Sequence, residues 1–94
     1  MEITPGTVVS AARDQVSTEL EGEVVILGLA DQVYYGLDEV GARVWALLAE
    51  PRPVSALVAA IVAEYDVDAA TAERDLLDLL RDLAGRRLIE VRSS

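Results

Sequence analysis

Between residues 33 and 48 the hydrophobic period changes without a gap. Val33, Tyr35 and Leu37 alternate with period two, as side chains on one face of a strand do. From Val40 onward, Val44, Leu47 and Leu48 recur at helical spacing. Only Asp38 and Glu39 stand between the two patterns, and Asp caps a helix by accepting N–H bonds from its first turn. Glu39 then adds negative charge where the helix dipole favours it. A junction this short makes the strand and the helix neighbours in space.

The rest of the chain sorts into strands before this junction and helices after it. Pro5-Gly6 marks a turn ahead of "TVVSAARD", 7–14, whose start is β-branched. "EVVILGL", 23–29, is a nearly continuous apolar run, and Glu21-Gly22 ahead of it has turn chemistry. Strands at 7–14, 23–29 and 33–37 make a three-stranded antiparallel meander. The first helix runs to about Glu50, where "EPRP" stops it. Pro53 opens a second helix, 53–65, with Leu57, Val58, Ile61, Val62 and Tyr65 facing inward. "YDVD" breaks the chain, Asp68 caps a third helix at 69–84, and Gly85 is its expected left-handed terminator. "RLIEV", 87–91, reads either as a short closing strand or as an extended tail. The expectation is one domain over 1–94: a winged-helix-like α+β fold, a three-stranded antiparallel N-terminal sheet followed by a three-helix bundle.

Composition narrows the function. The chain is 52% hydrophobic but only 4% aromatic, with no Phe, so its core is built from Val, Leu, Ile and Ala. It has no Cys and no His, which removes thiolate nucleophiles, imidazole bases and the usual zinc sites. Its 17 acidic residues are scattered, with no D-x-D-x-D-G loop for calcium. The expectation is therefore a non-catalytic protein without cofactor or metal. Net charge is −9 and every basic residue is Arg, the reverse of the basic face a nucleic-acid binder presents. No apolar run reaches the ~18–20 residues of a membrane span. The opening "MEITPG" lacks the basic region of a secretion signal, so no membrane partner and a cytoplasmic location are expected.

"YYGLDEVGARVWALL" resembles the strand-to-helix signature of the PqqD-like proteins, roughly Y-x-L-[ND]-x-x-G-x-x-[IV]-W-x-L-L. Tyr35, Leu37, Asp38, Gly41, Val44, Trp45, Leu47 and Leu48 match it, with Asp at the family's usual Asn. "YDVDAATAERDLLDLLRDLAGRRLIEV" is similar to the family's C-terminal pattern, with Asp75 at its Asp. With "EGEVVIL" ahead of the signature, the chain looks most like the stand-alone leader-binding proteins of lasso-peptide biosynthesis. The resemblance implies a recognition element for the leader segment of a ribosomally made precursor. It also implies two enzyme partners, a transglutaminase-like cysteine peptidase that removes the leader and an asparagine-synthetase-like cyclase. In the family the leader adds a strand beside the third strand and packs against the third helix. The alternatives are a peptide chaperone of a quinone-cofactor or another modified-peptide pathway, and, further off, a winged-helix DNA binder.

The residues support that mode of binding. The last strand of a meander is an edge with unpaired N–H and C=O groups, and an added strand satisfies them. Gln32, Val33, Tyr34, Tyr35, Gly36 and Leu37 are the candidates there, with Tyr35 read as core and Tyr34 on the sheet's other face. Leu77 lies beside the core stripe of the third helix, where it either widens the core contact or lines the facing wall. Asp78, Arg81 and Asp82 share that helix; Asp75, Asp78 and Asp82 read either as a solvated helix face or as carboxylates of which one or two pair with basic leader residues. Trp45, on the flank of the first helix, completes the set; its weight falls on packing over ligand contact.

Overall fold

The computed structural model describes residues 3–29 and 32–92. Its elements are β1 Val8–Ala11, β2 Gln15–Leu20, β3 Glu23–Gly28, β4 Val33–Leu37, α1 Glu39–Leu47, β5 Arg52–Pro53, α2 Val54–Glu64, α3 Ala69–Gly85 and β6 Ile89–Arg92. They form two antiparallel three-stranded sheets, β2-β3-β4 and β5-β1-β6, with the helices packed against them. The expected α+β class, with a three-stranded antiparallel sheet and three helices, is what the chain adopts.

The meander's first strand differs from the expectation. Segment 7–14 is not its first strand: Val8–Ala11 joins the second sheet, between β5 and β6. The first strand of the meander is "QVSTEL", 15–20. Two residues, Glu21 and Gly22, connect it to β3 with φ of 52° and 84°, the both-positive geometry of the tight hairpin turn that matches strand twist. β2 escapes a hydrophobicity reading because its polarity is reversed. Ser17 and Glu19 lie opposite Ile26 and Val24, on the side facing the helices, while Val16 and Leu20 face solvent.

Both helix caps fall where the sequence puts them. Asp38 Oδ1 accepts from Gly41 N at 2.8 Å, and Asp68 Oδ1 accepts from Thr71 N at 2.8 Å. Gly41 sits in a tight place: a Cβ there would meet Leu37 Cδ2 at 3.1 Å and Asp38 Oδ1 at 3.3 Å, so those side chains would have to give way by a few tenths of an ångström. α2 starts one residue later than expected, with Pro53 as its N-cap. Pro53 has no side-chain donor or acceptor to cap with, and the N-terminal segment takes that role. Val54 N donates to the Thr7 carbonyl at 2.9 Å and Ser55 N to the Pro5 carbonyl at 3.0 Å. Val9, Leu48, Val54, Leu57 and Leu80 are fully enclosed at the centre of the aliphatic core.

At the far end of α3, Gly85 is still helical and the left-handed residue is Arg87, φ 60°. Leu88 N donates to the Leu83 carbonyl and Arg87 N to the Ala84 carbonyl, both at 3.0 Å. This is the paired closure that ends many helices. It drops Leu88, 1% exposed, beside Leu83, so burial of Leu88 sets the exit and Gly85 comes two residues too early. The segment after it is the short closing strand, β6. A side chain in this conformation is strained by about 1 kcal/mol or more relative to glycine. Arg87→Gly is therefore expected to stabilise the fold by about 0.5–1 kcal/mol, some of the gain being returned as unfolded-chain entropy. A urea melt showing the variant less stable than the parent would contradict this account of the helix end.

Candidate functional site

β4 is an edge: among the described residues it pairs with β3 alone. The register says which of its backbone groups are free. A two-residue hairpin closes on a hydrogen-bonded pair, here Leu20 with Glu23, and such pairs then alternate along the ladder. The bond from Leu29 N to the Asp14 carbonyl at 3.0 Å falls on the same alternation. Glu23, Val25 and Leu27 thus spend their N–H and C=O groups on β2, and Val24, Ile26 and Gly28 turn theirs to β4. Their partners are Leu37, Tyr35 and Val33. The N–H and C=O groups of Tyr34 and Gly36 are left facing the open side.

Beside this edge lies a cavity of about 500 Å³. Tyr35, Gly36 and Leu37 form its β4 wall, and Val40, Gly41 and Val44 continue it along α1. The opposite wall is α3, through Ala72, Asp75, Leu76 and Leu79; Ile61, Tyr65 and Val67 close the end. The lining is largely apolar, with Asp38 and Asp75 as its carboxylates.

One contact ties the two walls together. Tyr35 Oη donates to Asp82 Oδ2 at 2.7 Å, and Arg86 Nε donates to Asp82 Oδ1 at 3.3 Å. The Arg86 guanidinium also sits 5.0 Å from the centre of the Tyr35 ring. Burial, then the hydrogen bond to Asp82, pushes the Tyr35 phenol above its ordinary range. The same hydrogen bond, helped by Arg86, holds the Asp82 carboxyl below the usual carboxylate range. The two directions agree, since each favours a neutral phenol donating to a charged carboxylate.

The Tyr35–Asp82 contact also fixes which face of α3 looks at β4. At about 100° per residue, Leu79 lies about 60° around the helix from Asp82, and Leu77 about 140°. Leu79 lines the cavity, whereas Leu77 packs against the core away from the cavity. Trp45 is likewise a core residue, 8% exposed, and does not reach the cavity lining. Asp78 and Arg81 pair with each other at 3.6 Å on an exposed face, also outside the lining. Of the candidates read from the sequence, the structure brings together Tyr35, Gly36 and Leu37 in the cavity wall, with Asp82 bonded to Tyr35. Tyr34 is 70% exposed on the opposite sheet face, while Val33 borders a second cavity. Gln32, φ 55°, donates its N–H to the Gly28 carbonyl at 2.7 Å and leads into the strand. Leu79, Val40, Tyr65 and Val67 are lining residues that the sequence reading did not single out for the site. Of the three α3 carboxylates Asp75, Asp78 and Asp82, Asp75 is the one that lines this cavity.

Among the described residues no cluster of acidic side chains could hold a metal ion, and no helix is long and apolar enough to cross a membrane.

The family model described as coenzyme PQQ synthesis protein D (PqqD) matches residues 23–89. Among solved structures, the chain is similar to TbiB1 in complex with the TbiA(beta) leader peptide. The two are 47% identical with a TM-score of 0.80, over 86% of this chain and 94% of that one. No curated protein matches the chain.

Proposed function

The chain belongs to the PqqD family, and from that premise we propose that it is a non-catalytic, single-domain adaptor for the leader segment of a ribosomally synthesised lasso-peptide precursor. The leader adds as a strand to β4, residues 33–37, and lays its inward side chains against α3, residues 69–85. The observation that carries this is the open edge itself. The unspent backbone groups of Tyr34 and Gly36 stand beside a 500 Å³ apolar groove, in a chain 47% identical to a protein solved with a leader peptide. Strand addition satisfies those groups, and the groove receives alternate ligand side chains. In this reading Tyr35, Gly36, Leu37 and Leu79 form the contact surface, Asp75 faces basic leader residues, and Gln32, Val33 and Tyr34 flank the strand. Leu77 and Trp45 pack with the core, and Asp78 and Arg81 stay on the exposed face of α3. The bound leader is delivered to a cysteine leader peptidase and an asparagine-synthetase-like cyclase in the cytoplasm.

Fluorescence-anisotropy titration with labelled TbiA(beta) leader peptide and, separately, with a labelled DNA duplex tests the partner class. Saturable binding of the peptide and none of the duplex at moderate salt is expected, because net charge −9 opposes phosphate. Duplex binding that weakens steeply with salt, without peptide binding, would overturn the adaptor reading.

A further inference from the structure

A second cavity, about 370 Å³, opens at the start of the edge strand beside Val33. Arg13, Arg86 and Arg87 line it, three of the eight cations in a chain that carries 17 acids. Asp14 and Glu90 share the lining, yet neither comes within ion-pair distance of an arginine. Arg86 is anchored by Asp82 at 3.3 Å and by the Tyr35 ring. Arg13 and Arg87 form no ion pair among the described residues, unlike Arg43, Arg52, Arg74 and Arg81. The lining sets three guanidinium groups against two carboxylates, two of the three without an ion pair among the described residues, so on a chain of net charge −9 this cavity is locally positive. The cavity borders one end of β4, and the carboxylates Asp38 and Asp75 border the other. The edge strand therefore runs from a cationic end to an anionic one, about 13 Å apart at the rise of an extended chain.

We propose that the Arg13–Arg86–Arg87 cavity binds a side-chain carboxylate of the peptide strand that adds to β4, and so sets that strand's register. The proposal rests on the strand-addition reading above. Guanidinium groups offer paired N–H donors that match a carboxylate, and a partly enclosed site screens the attraction less than open water does. Backbone bonding alone leaves an added strand free to slip by two residues. A charge held at the Val33 end, with a preference for basic side chains toward Asp75, removes that freedom.

A Glu-versus-Gln scan of the TbiA(beta) leader peptide is the test. Each position in turn carries Glu or Gln, and each peptide is titrated against the native chain and the Arg13→Gln/Arg87→Gln double variant at low salt. Both arginines are exposed, so the double variant keeps its fold, which circular dichroism checks. At one position toward the Val33 end, Glu is expected to outbind Gln by about 5–10-fold on the native chain and to lose that advantage on the double variant. At positions near Asp75 the sign reverses. The proposal is overturned if no position prefers Glu, or if the preference survives in the double variant. It is also overturned if inorganic phosphate saturates the cavity without affecting leader affinity, which would assign the site to a free anion. A native chain that binds no member of the scan overturns the strand-addition reading, and this proposal with it.

Discussion

Tyr34→Pro is expected to leave the protein folded while lowering leader affinity at least tenfold, or about 1.4 kcal/mol. Its N–H faces away from β3, so proline removes no bond of the native ladder, and edge strands tolerate proline where that group points outward. The same ring deletes a donor to the added strand and puts its Cδ where the partner backbone must lie. Tyr35→Pro is the opposite case. Its N–H belongs to the pair with Ile26, and the change also discards the hydroxyl bonded to Asp82 at 2.7 Å. Loss of about 3 kcal/mol or more of stability is expected, enough to unfold a domain of this size in part. Tyr34→Ala and Tyr35→Ala separate side-chain loss from backbone loss. Thermal melts and leader titrations on the four variants decide the matter. If Tyr34→Pro stays folded and binds as well as Tyr34→Ala, the leader does not pair with β4.

The second large effect concerns the facing wall. Leu79→Ala should weaken leader binding by about 1–2 kcal/mol, roughly 5–30-fold, because a half-buried leucine lining the groove loses the apolar area a ligand would cover. Leu77→Ala, two residues away, should leave binding within twofold and cost a modest amount of stability, since that side chain packs against the core elsewhere. Equal losses for the two variants would mean that α3 is turned differently toward its ligand. The pair is informative because both leucines are apolar, on one helix, and of the same size.

That pair also shows where sequence reasoning stops. The helix at 69–84 and its core stripe follow from period and caps, and the side chains of Asp38 and Asp68 cap helices where the pattern places them. The rotation of the finished helix about its axis does not follow from the pattern. It shows in a contact between residues 47 positions apart, Tyr35 and Asp82, and neither residue announces the other. On the wheel Leu79 lies on the edge of the core stripe toward Asp75, and Leu77 lies beyond its opposite edge. Only the tertiary contact says which edge meets the strand. β2 was hidden for a different reason. Its apolar residues face outward, so a search for inward alternation passes over it, and the turn at Glu21-Gly22 was the one local sign that a strand precedes β3.

The outward apolar face has a consequence of its own. Val16, Leu27 and Tyr34 stand in one row across β2, β3 and β4 on the side away from the helices, with Val16 52% and Tyr34 70% exposed. A strand laid beside β4 carries every second side chain onto this same side, next to Tyr34. The row then grows from three members to four, and the fourth belongs to the cargo. A protein that rests on all four therefore reads occupancy directly, without any movement of the carrier. It would meet a complete platform on the loaded form and a truncated one on the empty form.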